Sequence, residues 1–260
     1  AVAECLAWLE GNAAYTRKGK AGVQQVETRG LMATAFTHRD SRAGDPDLHT
    51  HVAIANKVQA PDGAWLSVES AALYEQIVAV SERYNAVMER TLEAELGVTF
   101  RDKEVPGKRP IREIVGVPAE LMEAWSKRRA EIEARTAELT ETFLAEHGRM
   151  PTAKEHIALA QVANLETRQE KAEPRSYAEQ RELWHEQATQ VLGGDREVER
   201  IRQHTLHRDV TFTPYSEKLR DTGIARAFDA LESKRATFKA SHIHAEALRQ
   251  SRQLNLSPAD

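Results

Sequence analysis

The stretch FTHRDSRAGDPDLHTHVAIAN, residues 36–56, places three histidines close together and decides how the fold is interpreted. His38 ends one apolar run, and His49 and His51 lie inside the next. Alternate side chains of a strand share a face, so His49 and His51 point the same way. If the two runs pair as an antiparallel hairpin around the connector 39–47, His38 lies opposite His49 or His51 on that face.

Three neutral imidazoles that converge on one point form a cation site with open coordination positions, a pattern typical of catalytic metal sites. An open position can hold a phosphate oxygen and polarise it. A lone histidine would instead favour a partly buried side chain bonded to a backbone carbonyl. We therefore predict that His38, His49 and His51 bind a divalent metal ion, and the sequence leaves Mg, Mn and Zn open.

The composition indicates a soluble globular protein. The chain has 260 residues, a net charge of −4 and one cysteine. These values argue against a strongly basic nucleic-acid binder, a disulfide framework and a cysteine-based zinc finger. No apolar run reaches the length of a membrane span and no signal peptide is visible, so the expected location is cytoplasmic.

The patterns flanking the histidines predict an α+β fold, an antiparallel sheet with helices followed by a mainly helical region. GLMATAFTH (30–38) predicts a buried strand, and one amphipathic helix is expected from residue 69 to a cap at Gly97. A long helix is expected over 119–147, and the capping box SYAE (176–179) opens another. The expected domains are 1–118 with the metal site, 119–210 as a helical region, and 211–260 as a further helical segment.

Basic side chains near the histidines are candidate phosphate contacts. Arg17, Lys18 and Lys20 lie in TRKGK, and Arg42 lies in the connector. The alternatives are a solvated loop for the first three and a salt bridge with Asp45 or Asp47 for Arg42. Two other groups are expected to be structural: Tyr74 and Tyr84 as packing residues, and His242 and His244 as surface residues of a helix.

FTHRDSRAGDPDLHTHVAIANKV closely resembles the three-histidine motif of conjugative relaxases of the MobF class, the TraA/TrwC-like proteins, which are HUH endonucleases. The resemblance extends upstream through LEGNAAYTRKGKAG and downstream through GAWLSVESAALYEQ and VGVPAELMEAWSKRRAEIE. The last stretch, ALESKRATFKASHIHAEALRQ, resembles the segment that leads into the helicase region of such proteins.

This resemblance implies a bacterial, site-specific DNA strand transferase. A tyrosine hydroxyl would attack a phosphodiester of single-stranded DNA at a plasmid transfer origin, leaving a 5′-phosphotyrosyl link and a free 3′-hydroxyl. The metal held by His38, His49 and His51 would orient the phosphate and stabilise charge on its oxygens. Components of the conjugation machinery are further expected partners.

The nucleophile is expected to lie outside this chain. In the family that the sequence resembles, the catalytic tyrosines lie near the native N-terminus, whereas this chain begins at Ala1 inside a helical pattern. It is therefore expected to be an N-terminally truncated fragment with an incomplete sheet. Tyr15 is a weak candidate nucleophile, because AYTRKGKAG matches a segment that does not supply the nucleophile. We expect metal and DNA binding without cleavage.

Two other functions fit parts of the sequence. Residues 119–260 could form a non-catalytic helical module that binds DNA or docks a partner, with the histidines inert. Alternatively, the metal could activate a water molecule for hydrolysis, which would need an acid or base beside it. Asp40 and Asp45 are the candidates for that role.

Overall fold

The structure is a computed structural model that describes residues 1–105, 109–170, 173, 175–213 and 216–256. In chain order the helices are α1 (Val2–Ala13), α2 (Ser70–Glu75), α3 (Ile77–Leu96), α4 (Ala119–Ala124), α5 (Lys127–His147), α6 (Ala153–Glu166), α7 (Tyr177–Leu192), α8 (Asp195–Thr205), α9 (Glu217–Glu232) and α10 (Ala240–Gln253). The strands are β1 (Tyr15–Lys18), β2 (Gln24–Glu27), β3 (Ala33–Asp40), β4 (Pro46–Ile54), β5 (Val58–Gln59), β6 (Trp65–Leu66), β7 (Phe100–Lys103) and β8 (Ile111–Ile114).

The strands form two-stranded sheets, each made of neighbours in sequence. β1 pairs antiparallel with β2, β5 with β6, and β7 with β8. β3 pairs with β4, and helices dominate after residue 118. The predicted α+β class, with antiparallel strands followed by a mainly helical region, is therefore confirmed.

The chain divides into two compact units that interleave along the sequence. Unit 1 contains residues 1–36, 52–115 and 204–260, and unit 2 contains residues 37–51 and 116–203. The tip of the β3–β4 hairpin, with all three clustered histidines, therefore belongs to the same unit as the helical region. The domain boundaries after residues 118 and 210 stay predictions.

Unit 1 is built on α3, which packs against α1 and α10. Small buried side chains, Ala79 and Ala86 on α3 and Ala245 on α10, line its interior. Charged groups are also buried there: Arg252 of α10 pairs with Glu82 and Glu89 of α3. Pairing of this kind offsets part of the cost of burying these charges.

Unit 2 is built from helical pairs, α5 against α6 and α4 against α7. Arg128 of α5 joins the first pair, because its guanidinium donates to the carbonyl oxygens of Asn164 and Thr167 near the end of α6, each at 2.7 Å. These carbonyls lie in the last turn of a helix, where they lack an intrahelical donor. The capping box predicted at Ser176–Glu179 is present and begins α7.

Several predicted elements are corrected. The expected buried strand at 30–38 exists as β3, but its first five residues are exposed because a two-stranded ribbon leaves its faces open. The single helix expected over 69–97 breaks at Gln76, where the N–H turns back to the carbonyl of Leu73. The helix expected over 119–147 breaks at Trp125 and Ser126.

Two side-chain predictions in unit 1 were wrong. Tyr74, expected to pack, is 72% exposed. His244, expected on the surface, is half-buried, and its ring stacks on Trp8 of α1 with centroids 3.9 Å apart. Residues i and i+2 of a helix point apart, so one of His242 and His244 turns inward when α10 packs on its neighbours. Burial, followed by the charge of Arg83, lowers the pKa of His244.

Candidate metal centre

The β3–β4 hairpin carries the three histidines and is closed by a short turn. The N–H of Ser41 donates to the carbonyl of Asp45 at 2.9 Å, and the N–H of Gly44 donates to that of Ser41 at 3.0 Å. Gly44 adopts φ +77°, which glycine tolerates without strain. Since β3 runs to Asp40 and β4 begins at Pro46, the connector is shorter than the 39–47 segment predicted from sequence.

The imidazoles of His38, His49 and His51 meet on one face of this hairpin. Their ring centroids lie 5.4 Å apart for His38 and His49, 5.2 Å for His38 and His51, and 5.0 Å for His49 and His51. On the opposite face, the hydroxyl oxygens of Thr37 and Thr50 are 3.2 Å apart. Strand alternation thus brings the three histidines together as predicted.

A backbone contact prepares His49 for coordination. Its Nδ1 lies 2.8 Å from the carbonyl oxygen of Asp47. A carbonyl oxygen only accepts hydrogen bonds, so Nδ1 is the donor in this contact, and Nε2 is the ring nitrogen left for a metal. Metal-bound histidines commonly bind a carbonyl through their other ring nitrogen, which sets the tautomer and the ring orientation.

Three imidazoles are a donor set that divalent cations accept, and their ring centroids have a suitable spacing. With metal–nitrogen bonds of about 2.1 Å, three imidazoles of a tetrahedral site have ring centroids roughly 5 Å apart. Within the part of the chain that the structure describes, however, no group of three or more His, Cys, Asp or Glu side chains has the geometry to hold a metal ion. Metal binding by the three histidines therefore stays a prediction.

The histidines line a cavity of about 500 Å³ with a charged wall. Arg39, Arg42, Arg128 and Arg175 contribute positive charge to this wall, and Asp40, Asp47 and Glu173 contribute negative charge. Polar side chains complete the lining, namely Thr37, Ser41 and Gln180. A polar cavity with imidazole donors and guanidinium groups suits an anionic ligand such as a phosphodiester.

Comparison with known families matches residues 1–191 to one family, the TrwC relaxases. The chain belongs to the TrwC relaxase family. The multifunctional conjugation protein TraI of Escherichia coli is 30% identical over 109 residues, which is 40% of this chain and 6% of that protein. This chain thus spans only a small part of the curated relative.

Solved structures of the family show the same fold. The conjugative relaxase TrwC in complex with OriT DNA, in a metal-free form, is 26% identical, with a TM-score of 0.57 over 75% of this chain and 63% of the TrwC chain. A copper-bound form of the TrwC–OriT complex matches with a TM-score of 0.56, 23% identity, and coverage of 75% and 61% of the two chains. The TrwC complex has thus been solved both without metal and with copper bound.

The residues predicted to contact DNA have different surroundings. Arg42 lines the histidine cavity, and its guanidinium donates to the carbonyl of Gln169 at 3.2 Å rather than pairing with Asp45 or Asp47. In unit 1, Arg17 pairs with Glu69 at 2.6 Å, Lys18 pairs with Asp62, and Lys20 is exposed in a tight turn. Their contact with DNA stays a prediction.

The tyrosines divide between the units. Tyr15 lies on β1 of unit 1, paired with Glu27, and its weak candidacy as nucleophile stays untested. In unit 2, Tyr177 begins α7 and is 54% exposed, with the guanidinium carbon of Arg39 5.0 Å from its ring centroid. Tyr215 lies outside the described residues.

Sequence reasoning missed the cavity residues that come from the helical region. Arg175 and Gln180 reach the histidine cavity from positions that carry no recognisable motif, and Arg128 reaches it from a stretch that resembles the family but gave no sign of this role. The capping box at Ser176 located the start of α7, but it gave no sign that this helix faces the hairpin. Only the contacts between distant segments identify these residues.

In the described part of the chain, no helix combines the length and apolar character that crossing a membrane requires.

Proposed function

We propose that this chain is part of a conjugative relaxase and binds the scissile phosphate of transfer-origin DNA at the three-histidine site. The convergence of His38, His49 and His51 on one hairpin face, in a member of the TrwC relaxase family, carries the proposal. The whole protein would nick single-stranded DNA at a plasmid transfer origin and start strand transfer, together with components of the conjugation machinery.

Each part of the cavity has a task in this reaction. The three imidazoles would supply neutral nitrogen donors to Mg, Mn or Zn. The bound metal would polarise a non-bridging phosphate oxygen and stabilise developing negative charge. Arg42, on the cavity wall, would hold a DNA phosphate by charge-assisted hydrogen bonds.

The covalent step needs a tyrosine. Its oxygen bonds to phosphorus as its proton leaves, the bond from phosphorus to the 3′ oxygen breaks, and that oxygen takes up a proton to become a 3′-hydroxyl. The proposal keeps the expectation that this chain does not supply that tyrosine. The isolated chain would then bind metal and single-stranded DNA without forming an adduct.

Calorimetric titration of Mn²⁺ and Zn²⁺ tests the metal site. We expect stoichiometric binding by the wild-type chain and loss of binding in the double variant His49→Ala, His51→Ala. The matched control is His156→Ala, His185→Ala, which removes two exposed helical histidines from the same unit and should leave binding intact. Equal binding by both double variants would refute the site.

A nicking assay tests the nucleophile separately. The chain is incubated with Mn²⁺ and supercoiled plasmid carrying the transfer origin of its own replicon. We expect no relaxed product and no covalent protein–DNA adduct. An adduct that survives denaturation would show that a tyrosine of this chain attacks DNA, and Tyr15→Phe and Tyr177→Phe would then identify it.

The alternative of metal-assisted hydrolysis loses support from the surroundings of its candidate acids. Asp45 is 2% exposed and accepts from the N–H of Lys127 at 3.0 Å. Asp40 accepts from the side-chain amide of Gln180 at 3.1 Å. One oxygen of each carboxylate is engaged by the helical region, and Asp45 does not line the histidine cavity, which weakens the case for either as a general base. The helical-module alternative predicts that the histidine variants leave DNA binding unchanged.

A further inference from the structure

Gln180 of α7 contacts the strand that carries His38. Its side chain is nearly fully buried, with 6% of the residue exposed. The amide oxygen accepts from Nε of Arg39 at 2.9 Å, and the amide nitrogen donates to Oδ2 of Asp40 at 3.1 Å. The oxygen and the nitrogen of this buried amide therefore bind Arg39 and Asp40, the two residues that follow His38.

This contact belongs to a continuous stripe along α7. Tyr177 lies under Arg39, Gln180 holds Arg39 and Asp40, and the indole N–H of Trp184 donates to the carbonyl of Gly44 at 2.9 Å. Positions 177, 180 and 184 recur at the helical period and share one face. One face of α7 thus follows the hairpin from the end of β3 into its turn.

The stripe determines where β3 can lie. Two-stranded hairpins are marginally stable by themselves and slide or fray readily. Side-chain contacts hold the residues on either side of His38 in sequence: Thr37 contacts Thr50, and Arg39 and Asp40 contact Gln180. Helix α7 is thus placed to set where the His38 imidazole lies relative to His49 and His51.

We propose that Gln180 is a positioning residue of the three-histidine site: by bridging Arg39 and Asp40 it holds the His38 imidazole where it can share a ligand with His49 and His51. This inference rests on the proposed function. The hydrogen bonds of Gln180 themselves involve no metal. It assigns part of the helical region to the relaxase site. Interactions beyond the ligands commonly change metal affinity about 10- to 100-fold.

The test exchanges the donor and the acceptor of the hydrogen bond between residues 180 and 40 in the full chain. Gln180→Glu keeps an acceptor for Arg39 but places a second carboxylate against Asp40. Adding Asp40→Asn restores a hydrogen-bond donor to that pair. The double variant should therefore recover the His38 position and the metal affinity that Gln180→Glu loses. Gln187→Leu is the control, because Gln187 lies on the same helix and contacts Trp125 instead of the hairpin.

The first readout is the NMR spectrum of the histidine rings in the metal-free chain. Gln180→Glu should shift the ring signals of His38, the double variant should bring them back, and Gln187→Leu should leave them in place. The second readout is Mn²⁺ affinity, expected to fall at least about 10-fold in Gln180→Glu and to recover in the double variant.

These outcomes separate the two proposals. If the wild-type chain binds no metal, the proposed function fails, and the ring signals still decide the role of Gln180. If the wild-type chain binds metal while Gln180→Glu changes neither readout, the positioning role is wrong. If Gln180→Glu does not fold, Gln180→Leu replaces it in the same two measurements, and unchanged His38 signals overturn the inference.

Discussion

At the scale of single residues, unit 1 buries carboxylates that have different neighbours. Glu82 and Glu89 are paired with Arg252, whereas Glu93, 8% exposed, is close to another carboxylate. Burial, followed by the charge of Glu89, raises the pKa of Glu93, and two arginines oppose this rise only in part. The ionised form of Glu93 is thus unfavourable in the folded state.

Replacement of Glu93 should therefore stabilise the protein at neutral pH. A raised carboxyl pKa means that the folded state takes up a proton before the unfolded state does as pH falls. The free energy of unfolding consequently increases as pH falls from neutrality toward the ordinary carboxyl pKa. Urea denaturation at pH 7 and pH 5 should show Glu93→Gln more stable than wild type at pH 7, with a smaller difference at pH 5. The exposed Glu95→Gln serves as control and should show no such trend.

At the scale of elements, the described helices α3, α5 and α7 end at glycines in the left-handed conformation, and the first two of these caps have different surroundings. Gly97 ends α3 with φ +60°, and Gly148 ends α5 with φ +67°. A Cβ on Gly97 would lie 2.8 Å from backbone atoms of His207 and Arg208, whereas one on Gly148 would meet no atom within 4 Å. The segment at 207–208 cannot withdraw freely, because it forms backbone hydrogen bonds with Leu96 and Gly97.

Alanine at these two caps should have unequal costs. Gly148→Ala carries only the strain of the left-handed conformation and should lower the free energy of unfolding by about 1 kcal/mol. Gly97→Ala adds a backbone clash and should lower it by about 2 kcal/mol or more. Chemical denaturation of both variants measures the difference. Equal costs would mean that the segment at 207–208 moves aside.

At the scale of the whole molecule, metal binding should stabilise one unit selectively, because all three histidines belong to unit 2. A ligand that binds only the folded state at 100 times its Kd adds about 2.7 kcal/mol to the free energy of unfolding. Calorimetric melting with and without Mn²⁺ should therefore show a metal-dependent transition in wild type. The change in melting temperature caused by Mn²⁺ should vanish in the His49→Ala, His51→Ala variant and persist in His156→Ala, His185→Ala.

The sequence by itself determined the local features of this protein. Alternation along β4 predicted that His49 and His51 share a face, since that periodicity is a property of any extended chain. The glycine cap at Gly97 and the Ser176 capping box were also readable, because each is set by interactions within a few residues. The motif around the histidines was sufficient to indicate the relaxase family.

Only the tertiary structure decided which distant segments meet. His244 stacks on Trp8, and Gln180 contacts Arg39 and Asp40. These contacts join parts of the chain that no short-range pattern relates. Helical periodicity shows that a helix has a face but not what that face contacts. The partner is selected by packing and by satisfying buried polar groups across the whole molecule.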